Sequence, residues 1–135
     1  MKIVVGFLKS AEGRAALSRA VDEAALRGAE LLVVHSLRGG ERDELEQILD
    51  HRGEFEPFKK RLDHDGTSYR MLEYSRRQSP AEDLLAAVKE EGAELLVIGI
   101  RRRSPVGKLV LGSNAQEILL QADCAVLAVK ASDDD

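Results

Sequence analysis

The sequence predicts an α/β fold, an open five-stranded parallel sheet with helices on both faces. Three observations predict it. Short β-branched or leucine-rich runs recur along the chain, each too short for a helix and apolar throughout, the pattern of strands buried on both faces. Between them lie segments with apolar residues at spacings of three and four, the helical period. Strands separated by helices need crossover connections, and those place strands parallel beneath a helical layer.

Ile3-Val4-Val5 opens the chain as the first strand. Ser10 stands where an N-cap belongs, before a helix from Ala11 to Arg27 whose Ala16, Leu17, Ala20, Val21, Ala24 and Ala25 form one apolar face, with Gly28 as C-cap. Leu31-Leu32-Val33-Val34 is the second strand, ended by Ser36 and Gly39-Gly40. Glu41 to Asp65 has helical spacing through Leu45, Ile48, Leu49, Phe55, Phe58 and Leu62, but Gly53 and Pro57 predict a break or two shorter helices. Tyr69 to Tyr74 reads as a weaker third strand. Ser79-Pro80-Ala81-Glu82 is a helix start with a capping box and proline at N1, and that helix ends at Gly92. Leu95-Leu96-Val97-Ile98 is the fourth strand, Gly112 to Gln121 a helix, and Ala125 to Val129 the last strand. Residues 131–135 read as a frayed acidic tail after a domain of residues 1–130.

With 135 residues, 44% hydrophobic and 33% charged, the chain suits one domain with its own core. No apolar stretch approaches the roughly 20 residues of a membrane helix. A net charge of −4 argues against a nucleic-acid binder, whose affinity rests on phosphate neutralisation. Cys124 is the single cysteine, so no internal disulfide and no thiolate zinc site is expected, and it reads as a small buried hydrophobe. His35, His51 and His64 are scattered, and only His35 falls near the carboxyl end of a strand. Without the order of a signal peptide at the N-terminus, the expected location is cytoplasmic.

Ligands in open α/β folds bind beyond the carboxyl ends of strands. Those ends are Gly6 to Lys9, His35 to Leu37, Ser75 to Ser79 and Gly99 to Leu111. The last carries the most chemistry. Arg101, Arg102 and Arg103 precede Ser104-Pro105-Val106-Gly107-Lys108, and Gly112-Ser113-Asn114 opens the following helix. Gly99 sits where the strand is expected to turn and where a side chain would block close backbone approach. Ser113 with Gln116 reads as a further capping box. Helix-start amides face outward there, a natural seat for a phosphate, and arginine pairs bidentately with phosphate. The residues alone leave two readings open, an anion site or a solvated basic loop. A Walker A loop is not among them: Gly107-Lys108 has no following Ser or Thr, and Arg102 takes the place of the first glycine.

Gly99, Gly112-Ser113 thirteen residues later, Ala115 to Leu119 and the closing Cys124-Ala125-Val126-Leu127-Ala128-Val129 resemble the universal stress protein family, as does the order of elements from Ile3 to Lys130. The resemblance implies strand order 3-2-1-4-5 and a homodimer. It also implies, in members that bind ATP, a Gly-x-x-Gly-x9-Gly-Ser/Thr loop and an Asp after the first strand. Gly99, Gly112 and Ser113 carry over, whereas Arg102 stands at the second glycine and Leu8 at the aspartate. A buried donor deprived of its acceptor costs about 1–3 kcal/mol, so ATP affinity is expected to be weakened, with Mg2+ present only alongside nucleotide.

The candidate ligand-binding residues are therefore Gly99, Arg101, Arg102, Arg103, Gly112, Ser113 and Asn114. The expected function is regulatory binding of an adenine nucleotide or another anion at the loop from Gly99 to Ser113. The alternative is a nucleotide-free interaction protein. Catalysis would be at most slow ATP hydrolysis, because no acid lies between Gly99 and Ser113. The wholly apolar Ala125 to Val129 at a sheet edge is a template for pairing, which predicts a homodimer through Cys124 to Lys130.

Overall fold

The computed structural model describes residues 1–8, 10–36, 41–74, 78–101 and 111–131, with backbone alone for 41–51. The elements run β1 (Lys2–Gly6), α1 (Ala11–Arg27), β2 (Glu30–Ser36), α2 (Glu41–Asp65), β3 (Tyr69–Tyr74), α3 (Pro80–Glu91), β4 (Leu95–Arg101), α4 (Ser113–Gln121) and β5 (Ala125–Ala131). The five strands form one parallel sheet in the order β3-β2-β1-β4-β5. The chain thus reverses its direction of winding between β1 and β4, and the carboxyl ends of these two strands are the topological switch point.

Side-chain alternation sorts the apolar residues into two cores. Ile3, Val5 and Phe7, with Leu31, Val33, Leu95 and Val97, pack against Ala16, Leu17, Ala20, Val21 and Ala24 of α1 and Phe55 and Leu62 of α2. Val4, Leu32, Val34, Leu96, Ile98 and Ile100 face Ala81, Leu84, Ala87 and Val88 of α3 and Ile118 of α4. Two cores on one sheet explain why β1, β2 and β4 have no polar face, whereas β3 and β5, at the edges, are only half-buried.

Helix ends follow local chemistry where a side chain can reach. Ser10 accepts from the Gly13 amide at 3.0 Å, and Gly28 and Gly92 end α1 and α3 in the left-handed conformation that glycine alone adopts cheaply. Within α1, Glu23 is buried between Arg19 and Arg27, whose guanidinium groups hold its carboxyl below the usual range.

The expected break in the middle helix does not occur: α2 runs unbroken through Gly53 and Pro57. A helix-interior proline costs about 3 kcal/mol through a lost hydrogen bond and a clash with the carbonyl four residues back. Here that residue is Gly53, exposed and with open space around it. The compensation lies on the opposite face. Phe55 is buried with its ring 5.8 Å from both Phe7 and Tyr69, and Phe58 and Leu62 extend the contact. Arg61 adds a tether to Ser18 and Asp22 of α1. Burying two such side chains is worth about 1.5–3 kcal/mol each, enough to offset the proline.

β5 extends through Ala131, which pairs with Arg101 and is buried, so the sheet includes one residue of the expected tail. Residues 132–135 lie outside the described residues.

Candidate functional site

At the switch point the amino ends of α1, α3 and α4 surround a cleft. Its outer compartment, about 310 Å³, is lined by Leu8, Glu12, Gly99 to Arg101 and Gly112 to Ala115. An inner, mostly apolar compartment of about 70 Å³ shares Leu8, Glu12, Gly99, Asn114 and Ala115 and reaches Leu84 and Ile118. The outer volume is within the range of small-molecule sites.

Two glycines set the depth of the cleft. A Cβ on Gly99 would stand 2.0 Å from the Glu12 carbonyl oxygen, and one on Gly13 would stand 2.2 Å from the Leu8 carbonyl oxygen. The first turn of α1 therefore rests on the backbone of β4, and the β1–α1 turn rests on α1. This corrects the expectation for Gly99: β4 does not turn there but continues to Arg101, and the close approach that Gly99 permits is by the chain's own helix.

Arg101 ends β4 and faces Glu12 across the cleft floor, its Nε 2.6 Å from Glu12 Oε1. The contact is an ion pair rather than an aligned hydrogen bond, and both atoms are buried with no hydrogen-bond partner among the described residues. Arg102 and Arg103, with the rest of the segment to Val110, lie outside the described residues.

The start of α4 also differs from expectation. Gly112, in extended conformation, is the N-cap, and no side chain caps the helix. Ser113 is the first helical residue, so its hydroxyl is one position too late to cap. Gln116 donates to the Leu111 carbonyl at 2.9 Å instead of closing a box. The first intrahelical bond runs from the Gln116 amide to the Gly112 carbonyl at 3.0 Å, which leaves the amides of Ser113, Asn114 and Ala115 without intrahelical acceptors. Those amides carry the positive end of the helix dipole toward the cleft. Asn114 is exposed, yet its Oδ1 accepts from the Ala81 amide of α3 at 3.3 Å, so its acceptor is engaged and its amide nitrogen is the group offered to a ligand.

Gly99, Arg101, Gly112, Ser113 and Asn114 thus converge on one cleft. Leu8, 45% exposed, lines both compartments, and its side chain supplies no polar group. Glu12 is the cleft residue that sequence reasoning passed over. An acid in a first helical turn reads locally as a complement to the dipole, and only the two close-approach glycines hint that the turn is pressed onto the sheet.

The remaining polar residues lie elsewhere. His35 is buried in β2 and paired in register with Glu73, and it does not line the cleft. His64 is exposed on α2. No group of three or more His, Cys, Asp or Glu able to hold a metal occurs among the described residues. Cys124 is partly buried, and burial pushes its thiol up, away from the thiolate. A second cavity of about 490 Å³ opens at the amino ends of the strands, where Lys2 and Glu30 belong to an ion-pair chain with Glu91 and Arg70. No helix among the described residues is long and apolar enough to cross a membrane.

Comparison with known proteins places this architecture. Residues 1–130 match the model of the universal stress protein family. A universal stress protein of Mycolicibacterium smegmatis is 39% identical over 132 residues, covering 95% of this chain and 96% of that protein. Among solved structures, a universal stress protein from Archaeoglobus fulgidus superposes with a TM-score of 0.77 at 36% identity, covering 96% of this chain and 98% of that one. A universal stress protein structure from the same organism, in complex with dAMP, has a TM-score of 0.73 at 30% identity, with 96% and 98% covered.

Proposed function

Because the chain belongs to the universal stress protein family, we propose that the switch-point cleft binds an adenine nucleotide and that binding, rather than chemistry, is its function. The observation that carries this reading is the start of α4. Three amides without helical acceptors face a cavity of about 310 Å³ that also receives Arg101 and the side chain of Asn114. That set suits a phosphate: backbone donors at the positive end of a helix, and a guanidinium beside them. The relative that binds dAMP shares nearly the whole length of this fold.

The phosphate group would lie against Ser113, Asn114 and Arg101, with the nucleoside extending toward Leu8 and the apolar inner compartment. ATP is the nucleotide we favour, with Arg102 and Arg103, which follow Arg101 in the sequence, as the residues that would take its further phosphates. Mg2+ would enter with those phosphates, since Glu12 is the one acidic residue among the described residues lining the outer compartment. Occupancy would alter the surface that partners meet, a regulatory role.

A second reading draws on two specific observations. The Leu8 side chain offers the cleft no acceptor, and β5 is an edge strand of the sheet among the described residues, with Val126, Leu127 and Val129 half-buried and Leu120 of α4 85% exposed. On this reading the chain is a homodimeric interaction protein, paired through Cys124 to Lys130, that works without nucleotide. One sample separates the two. Calorimetric titration with AMP and ATP, with and without Mg2+, is expected to give saturable heat and a raised Tm. Light scattering at micromolar protein is expected to give the mass of a dimer. Absence of both heat and Tm shift at millimolar nucleotide removes the first reading, and a strict monomer removes the second.

A further inference from the structure

We propose that Glu12 is the residue that makes the cleft select a sugar-bearing phosphate over a bare anion. The proposal rests on the nucleotide reading above and names the group within the site that reads the ligand.

Glu12 lines both compartments and is the one carboxylate among the described residues that line them. The backbone fixes its place, because the close approach at Gly99 seats the first turn of α1 on β4. Its Oε1 lies 2.6 Å from Arg101 Nε, and both atoms are buried without an aligned hydrogen bond among the described residues, while a quarter of the Glu12 side chain remains exposed. A charged pair taken out of water with its hydrogen bonding incomplete is one to which ligand donors add stability.

The order of groups along the cleft decides which donors those are. Arg101 contacts Glu12 directly and lines the same compartment as Gly112, Ser113 and Asn114. A phosphate held by the α4 amides and Arg101 would have the next unit of the ligand beside Glu12, which lines the same compartment and touches Arg101. In a nucleotide that unit is the sugar. Its two neighbouring hydroxyls donate, and a carboxylate is acceptor-only, so the two are matched. Inorganic phosphate or pyrophosphate brings its negative charge without the sugar's pair of hydroxyls, and Glu12 repels that charge and competes with it for Arg101. The same carboxylate thus favours the nucleotide and disfavours the bare anion, a discrimination built from attraction and repulsion together. Leu8, alongside, has no acceptor to share the task.

The test uses three probes, AMP, the dideoxy analogue lacking both sugar hydroxyls, and pyrophosphate, titrated into the wild type and Glu12→Gln. The amide keeps the size of the side chain but not its charge, and a melting curve of the free variant reports its folding. In the wild type, loss of both hydroxyls is expected to weaken binding by about tenfold or more, the scale of a hydrogen bond to a charged acceptor. In Glu12→Gln, whose amide oxygen still accepts but carries no charge, the penalty for losing the hydroxyls is expected to shrink, and pyrophosphate to bind as well as or better than in the wild type. If AMP binds both proteins equally with its hydroxyl dependence intact, the assignment of Glu12 is overturned and the nucleotide reading stands. If Glu12→Gln weakens all three probes alike, the residue is only structural and the assignment is again overturned. If the wild type binds neither nucleotide, both fall.

Discussion

The starts of α3 and α4 face the same end of the sheet, yet one is closed and the other open. Ser79 accepts from the Glu82 amide at 3.1 Å, Glu82 reaches back to the Ser79 amide, Pro80 fills N1, and Asn114 takes the Ala81 amide. Gly112 has no side chain with which to do any of this. Helix amides that the chain satisfies itself add stability but cannot bind a ligand. Those it leaves bare cost stability and become a site. The two helices are joined through Asn114, which closes α3 from the open helix, so the bare end is held in place by the capped one.

The largest effect that should break this contrast comes from beneath it. Gly99→Val places side-chain atoms where the Glu12 carbonyl already stands, with even the Cβ at 2.0 Å. The first turn of α1 must lift from β4, at a cost of about 3 kcal/mol or more, and the cleft loses its floor. Thermal melting should show a large drop in Tm, and the remaining folded protein should not bind nucleotide. An unchanged Tm would show that α1 does not rest on β4 as described.

Next comes a substitution that closes the open end. Gly112→Asp supplies the missing cap, and its carboxylate occupies the amides that a phosphate would use. Stability should rise by a few tenths of a kcal/mol, since glycine is itself a tolerable N-cap. Nucleotide affinity should fall by about tenfold or more through competition and like-charge repulsion. Retained affinity measured by calorimetry would mean the α4 amides are not the phosphate seat.

The smallest effect opens the closed end. Ser79→Ala should cost about 1 kcal/mol, or about 4 °C in Tm, with nucleotide affinity nearly unchanged. A large loss of binding instead would mean that α3 contributes directly to the ligand rather than through Asn114.

Much of this was legible before folding. Ile3 to Val5, Leu31 to Val34 and Leu95 to Ile98 are apolar on both faces because both faces are covered, and such runs announce themselves. Ser10 and Ser79 cap as expected because a cap needs only its own next turn. The same logic failed at Ser113 by one position: the motif was present, but backbone geometry made Gly112 the boundary residue. It failed at Pro57 because the aromatic contacts of Phe55 with Phe7 and Tyr69 join segments far apart in sequence. Glu12 was hidden for a similar reason, as its partner Arg101 is distant along the chain.

The amino-acid sequence by itself determined the alternation of strands and helices, the parallel sheet and which loop carries the basic residues, because periodicity and capping act over a few neighbouring residues. Tertiary structure alone decided that Gly99 serves the seating of a helix, that Glu12 meets Arg101, and that Asn114 closes one helix while its own stays open. Each of these depends on contacts across the sheet's switch point, where chain reversal brings together residues that no local pattern relates.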